Sequence, residues 1–306
     1  MSESVSSRPR PAATVTPPMG RQPARVAMKL RDGYTTSVYV HAPARHVLEQ
    51  TAPVVFLHGI QSHPGWFYRS ALAMADAGYR VYQPTRRGSG DNTVARGEAA
   101  SLEQLFGDID DAICFAQRDS GCERVHLIGI SWGGKLAAAY LVWRGEKTAN
   151  PPASLTLLSP GIAAKLDLSL RTKLSMAVAL LRRKHTKRYP IPLSDATLFT
   201  INQPVLEYLR GDEFRLHEGT VRFLCISRQL EILLRKAKRG AISTPTTLIL
   251  ARHERILYND KVRKLVAKLT ADAATAVELN GYHTLEFEPD PRELCETLVN
   301  SLDSIM

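Results

Sequence analysis

The chain has 306 residues, 44% of them hydrophobic and 23% charged, with a formal net charge of +10. That profile excludes a fibre, a disordered tail and a membrane bundle, and leaves one globular domain with room for a sizeable insertion. At this length roughly three quarters of the unfolded surface is buried on folding. The four cysteines, with neither a CxxC spacing nor a paired framework, are then needed neither as disulfide staples nor as zinc ligands, and a reducing, cytoplasmic setting is expected.

No apolar run approaches the ~20 residues that a bilayer-spanning helix requires. Residues 1–24 are basic and rich in Pro and Ser, lack the apolar stretch of a secretory signal, and read as a flexible arm. The positive charge is local. Between Gly161 and Gly240 stand 16 Lys and Arg against 7 Asp and Glu, a surplus of nine, which nearly exhausts the total. A nucleic-acid footprint over the whole molecule is therefore not expected.

In chain order, Arg25 to Leu30 and Thr36 to His41 flank Arg31-Asp32-Gly33-Tyr34, whose Asp-Gly pair predicts a β-hairpin. Pro53 to Leu57 is a short apolar run of the kind that forms a strand buried on both faces, and it ends in His58-Gly59. Trp66 to Ala77 is helical in pattern and Tyr79 to Gln83 extended, followed by the loop Arg86-Arg87-Gly88-Ser89-Gly90-Asp91-Asn92. Ser101 and Gln104 make a capping box for a helix to about Arg118. Strand Arg124 to Ile130, helix Trp132 to Trp143 and strand Ser154 to Leu158 follow. The alternation resumes with strand Thr246 to Ala251, a helix at Asp260 to Leu269, strand Ala274 to Leu279 and a helix from about Pro291 to Leu302. Such alternation predicts an α/β fold with a mostly parallel central sheet flanked by helices.

Residues 161–240 interrupt that rhythm with a helical, basic pattern and read as a cap over a core made of 25–160 and 241–306. Within it Leu170, Leu174, Ala177, Val178 and Leu181 share one helical face, with Arg182, Arg183, Lys184, Lys187 and Arg188 beyond. Two roles are open to this amphipathic helix. Its apolar face packs on the core, the commoner fate of such helices, or it guides an acyl chain and rests on an anionic membrane surface.

Gly129-Ile130-Ser131-Trp132-Gly133 fits G-x-S-x-G, and it stands between a predicted strand and an apolar helix. A strand that turns sharply into a helix needs small residues at Gly129 and Gly133, and it holds the Ser131 hydroxyl out at the sheet edge where parallel folds bind ligands. Gly129 to Lys135 also satisfies G-x-x-x-x-G-K, but Leu136 stands where a phosphate loop has Ser or Thr. A serine nucleophile needs a base and an acid to orient it, expected in the order Ser, acid, His after late strands. Glu254 follows Thr246 to Ala251, with Asp260 on the same connection as the alternative acid, and His283 is the histidine that follows the last strand. The N–H groups of Trp132 and, in the loop carrying His58 and Gly59, of Ile60 are the candidate oxyanion donors.

On Leu57-His58-Gly59, Arg87-Gly88-Ser89-Gly90, the Ser131 motif, Leu158-Ser159-Pro160-Gly161, Ala251 to Ile256 and His283-Thr284-Leu285-Glu286, the chain resembles the α/β-hydrolase superfamily. It is similar to the serine-hydrolase branch of lysophospholipases, monoacylglycerol lipases and serine aminopeptidases. The resemblance implies Ser131 as nucleophile, Glu254 as acid where Asp is commoner, His283 as base, and an ester or lipid substrate cleaved without metal or other cofactor. It also implies a lid at 161–240. Two rivals stand beside ester cleavage: aminopeptidase-like amide cleavage, and a non-catalytic module whose basic cap grips anionic lipid or nucleic acid, the latter partner disfavoured.

Overall fold

The computed structural model describes residues 21–44, 51–145 and 151–303. Of the arm expected over 1–24, residues 1–20 lie outside the described residues. Ala24 already belongs to the first strand.

β1 (Ala24–Lys29) and β2 (Thr35–His41) form the expected antiparallel hairpin. Its turn closes through Gly33 at φ +85° and through Asp32, whose carboxylate accepts the Tyr34 N–H. Then come β3 (Val54–Leu57), α1 (Tyr68–Asp76), β4 (Val81–Pro84), α2 (Leu102–Ser120), β5 (His126–Ile130), α3 (Trp132–Arg144) and β6 (Ser154–Leu158). The insertion follows, with α4 (Leu170–Leu181), β7 (Arg188–Pro190), α5 (Gln203–Gly211), β8 (Glu218–Thr220) and α6 (Val221–Lys236). The chain finishes with β9 (Thr246–Ala251), α7 (Asn259–Leu269), β10 (Thr275–Leu279) and α8 (Arg292–Asp303).

Eight strands make one sheet in the order β1-β2-β4-β3-β5-β6-β9-β10, in which only β2 runs against the others. The inner strands β3, β5 and β6 are buried at every residue; β3 is accordingly a continuous apolar run, while β5 and β6 also bury polar side chains that find partners, His126 Nδ1 lying 2.8 Å from Ser154 Oγ. At the far edge β10 is mostly exposed, and Glu278 there pairs with Arg263 and Arg252, charges that discourage further strand addition. The α2 cap differs in detail from a reciprocal box. Ser101 accepts the Gln104 N–H, but the Gln104 side chain reaches back to the N–H of Ala100.

The helical pattern expected at 161–240 is present, with one addition. β7 and β8, three residues each, pair as an antiparallel ribbon too short to leave a periodic signal. The insertion is tied to the body by buried polar contacts. Asp212 accepts from Trp66 Nε1 at 2.7 Å and lies 3.1 Å from His63 Nε2, while Arg215 donates to Gln61 Oε1 at 2.9 Å. The stripe on α4 does not pack on the core. Leu170, Leu174 and Leu181 are 84%, 68% and 83% exposed, and it is Ala179, with Met176 and Leu180, that turns inward. Among the described residues no helix is long and apolar enough to cross a membrane, and all four cysteines are free thiols.

Candidate active site

The parallel strands carry their loops to one end of the sheet, and β5 supplies the sharpest turn. Ser131 sits between β5 and α3 at φ +52° and ψ −120°, a conformation costing a non-glycine residue of order 1–3 kcal/mol. It is held by Ser131 N–H to Leu158 O at 2.9 Å and by Gly161 N–H to Ser131 O at 2.6 Å. The turn leaves no room for side chains at its flanks. A Cβ on Gly129 would lie 2.6 Å from the Gly133 carbonyl oxygen, and one on Gly133 would lie 2.3 Å from that of Leu57.

The loops after β9 and β10 bring Glu254 and His283 to this turn. His283 Nε2 is 3.0 Å from Ser131 Oγ, and His283 Nδ1 is 2.7 Å from Glu254 Oε2. The second Glu254 oxygen accepts the N–H groups of Ile256 at 2.7 Å and Leu257 at 3.3 Å. Burial alone would raise the Glu254 carboxyl, but the adjacent imidazole and the two amides outweigh it and hold the pKa below the usual glutamate value. An ionised Glu254 takes the Nδ1 proton as its donor, which leaves Nε2 as the acceptor for the Ser131 hydroxyl. Asp260, the alternative acid, is exposed in the first turn of α7.

Ile60 and Trp132 border the same cavity as Ser131, and neither backbone N–H donates to a partner among the described residues. His58 is buried and lies behind them. Burial drives its pKa well below the ordinary histidine value, so its neutral ring donates from Nδ1 to Gly59 O at 2.9 Å and accepts the Arg86 N–H at Nε2 at 3.0 Å. The Gly59 carbonyl, which precedes Ile60 in the loop, is thereby fixed. Gly59 also approaches Ser131 closely, since a Cβ there would meet the Ser131 Cβ at 3.4 Å.

One residue in this assembly escaped sequence reasoning. Arg86, read only as part of a loop, donates from Nη2 to Ile60 O at 2.7 Å and stacks over the Trp132 ring at 4.8 Å. It thus braces both candidate oxyanion residues. Its neighbour Arg87 is paired with Asp108 and Asp32, whereas Arg86 has no carboxylate partner among the described residues and its Nε and Nη1 are unbonded. The sequence signal was two adjacent arginines, and nothing local told which would be left uncompensated.

A cavity of about 770 Å³ opens above Ser131 between the sheet edge and the insertion. Its apolar lining includes Ile60, Met176, Leu180, Leu193, Leu224 and Leu257, and charged residues line it as well. Among the described residues no three His, Cys, Asp or Glu side chains cluster as metal ligands would.

Comparison with known proteins identifies a family and a fold. The sequence model of the family described as "Serine aminopeptidase, S33" matches residues 49–290. The monoglyceride lipase of Saccharomyces cerevisiae, solved as a soluble variant with a substrate analog, superposes with a TM-score of 0.76 at 16% identity, over 96% of this chain and 99% of that one. The monoacylglycerol lipase of Paleococcus ferrophilus gives 0.71 at 20% identity, over 89% and 99%. A thermostable carboxyl esterase of Bacillus coagulans gives 0.74 at 14%, over 92% and 98%. These likenesses establish the α/β-hydrolase fold. A carbendazim hydrolyzing esterase of a Nocardioides species is 38% identical over 84 residues, 27% of this chain, and the match spans only 33% of that relative's length.

Proposed function

This chain belongs to the serine aminopeptidase S33 family, and from that premise we propose that it is a serine hydrolase that cleaves carboxylic esters. Ser131 is the nucleophile, His283 the general base and Glu254 the acid that orients it. The observation that carries this reading is the unbroken run of bonds from Ser131 Oγ through His283 to Glu254, beside two unpartnered amides at one cavity.

In the first step His283 Nε2 takes the hydroxyl proton as Ser131 Oγ attacks the ester carbonyl, and the oxyanion is received by the Ile60 and Trp132 N–H groups. Collapse expels the alcohol, which leaves with the proton from the imidazolium. Water then repeats the sequence on the acyl-enzyme and releases the acid, while Glu254 stabilises the transient imidazolium. Arg86 acts as a positioning residue for both amides.

Amide cleavage, which the family's description names, is the second reading. An exopeptidase requires an unpaired carboxylate to hold the substrate ammonium. The two acids lining the cavity are already paired, Asp167 with Lys173 and Glu231 with Arg228 and Arg235, which supports esters.

Residues 161–240 serve as the cap, and α4 gives it two working sides. Met176, Ala177 and Leu180 border the cavity, while Leu170, Leu174 and Leu181 face outward beside a cationic end. That division supports a cap that rests on an anionic lipid surface and passes an acyl chain inward. The four free thiols suit a reducing, cytoplasmic location.

A fluorophosphonate probe tests the core of the reading. The native chain is expected to be labelled and Ser131→Ala not, and His283→Ala to lose roughly a thousandfold or more in ester turnover. An unlabelled native chain removes the basis for the proposal.

A further inference from the structure

We infer that the cavity accepts esters bearing an anionic group, a carboxylate or a phosphate, and that Lys135 and Ser227 form the subsite that receives it. The inference rests on the hydrolase reading above. Lys135 lies on α3 one helical turn past Ser131, about 6 Å along the axis, and lines the same cavity although it is only 7% exposed. Its ammonium makes one described bond, to Ser227 Oγ at 3.1 Å, and no carboxylate lies within ion-pair distance of it among the described residues. The same Ser227 oxygen accepts Trp132 Nε1 at 2.9 Å.

The donor count decides what is missing. A hydroxyl oxygen with two lone pairs is filled by those two N–H groups, so the Ser227 proton must be given away. Lys135 holds two further N–H donors. Among the described residues no hydrogen-bond acceptor is bonded to any of these three donors, so the subsite holds three unused donors and a positive charge at the cavity. The other charges lining the cavity are all in ion pairs, Asp167 with Lys173 and the single Glu231 carboxylate with both Arg228 and Arg235, a cluster that itself carries one excess positive charge. Among the described residues lining the cavity, Lys135 is the cation without an ion-pair partner; burial pulls its pKa down to about 8, against which the more distant Glu231 carboxylate acts to raise it and Arg228 to lower it. A buried cation without a counter-ion is a standing cost that a methionine of similar length would avoid. An anionic substrate group removes that cost, and its position one turn from Ser131 sets it a few bonds from the scissile carbonyl.

The test compares matched esters on the full-length chain. One pair is the 4-nitrophenyl ester of butyric acid against that of succinic acid, which adds a carboxylate on the acyl side. The other is monobutyryl glycerol against its phosphate monoester, which places the charge on the alcohol side. At least one anionic ester is expected to exceed its neutral partner tenfold or more in kcat/KM, mainly through KM. Lys135→Met is expected to shrink that ratio tenfold or more, Lys135→Arg to restore part of it, and Ser227→Ala to reduce it severalfold. The pair that shows the preference identifies which kind of anion the site takes. If the native chain prefers neither anionic ester, the inference is wrong, and this holds even if the variants fail to fold. It is equally wrong if Lys135→Met lowers anionic and neutral esters by one common factor, since Lys135 then only ties α3 to α6. Absence of both turnover and fluorophosphonate labelling in the native chain would instead overturn the hydrolase reading and the subsite with it.

Discussion

Ser131 is held at a backbone angle that serine seldom adopts, and the residues around it explain how that is sustained. Two backbone hydrogen bonds clamp its amide and carbonyl, and a buried imidazole and carboxylate line up behind its hydroxyl. Glu254 carries one more methylene than the commoner aspartate, yet the bond to His283 is short at 2.7 Å, because both Ile256 and Leu257 amides hold its other oxygen. Its depressed pKa has a consequence for stability. The unfolded chain takes up a proton near the ordinary value of 4.5 before the folded one does, so the Glu254 contribution is complete above that pH and is lost as pH falls through the lower folded value. Glu254→Gln is therefore expected to lower kcat/KM for an ester by about a thousandfold or more and to make the acid-side decline of the melting temperature shallower than in the native chain. Identical acid limbs in the two proteins would show that the carboxylate is not held as described.

At the scale of elements, the turn from β5 into α3 is set by how closely it passes β3. The contact at Gly133 is with backbone, the Leu57 and His58 carbonyl oxygens at 2.3 and 2.5 Å from an added Cβ, and neither can swing aside as a side chain could. Gly133→Ala is expected to cost about 3 kcal/mol or more and to lower the melting temperature by roughly 6 °C or more in a calorimetric scan. A melting temperature unchanged within a degree would mean that α3 can move away from β3. Trp132 opens α3 beside Gly133, and the His58 carbonyl that the added Cβ meets lies in the loop that carries Ile60, so the clash is expected to be felt in turnover as well as in stability. Strand β3, buried on both faces, was legible as an apolar run, and β5 and β6 as strands alternating with helices. The β7–β8 ribbon was not, because three residues per strand carry no period.

For the whole molecule, the question is what the insertion does with its surplus of positive charge. With its apolar stripe turned outward next to Arg182, Arg183 and Lys184, α4 has the composition of a helix lying in a lipid interface. Co-sedimentation with vesicles is expected to show binding that rises with the fraction of anionic lipid and weakens with salt, and to fall in Leu174→Glu/Leu181→Glu. A chain left in the supernatant by strongly anionic vesicles at low ionic strength contradicts this role for α4. The buried ties from Asp212 to Trp66 and from Arg215 to Gln61 hold the insertion to the loop that carries Ile60.

The amino-acid sequence by itself determined the alternation of strands and helices, the serine turn, and the order in which acid and histidine follow it. Those features are written in local composition and short spacings: apolar runs, glycines flanking Ser131, residues just past strand ends. Only the tertiary structure decided which carboxylate meets His283, that Arg86 braces Ile60 and Trp132, that Lys135 faces Ser227 across 92 positions of chain, and which way the α4 stripe points. The physical reason is common to all four. An amphipathic pattern or a charged side chain states that a partner is needed, but which partner it meets depends on how distant elements pack, and that information is not local.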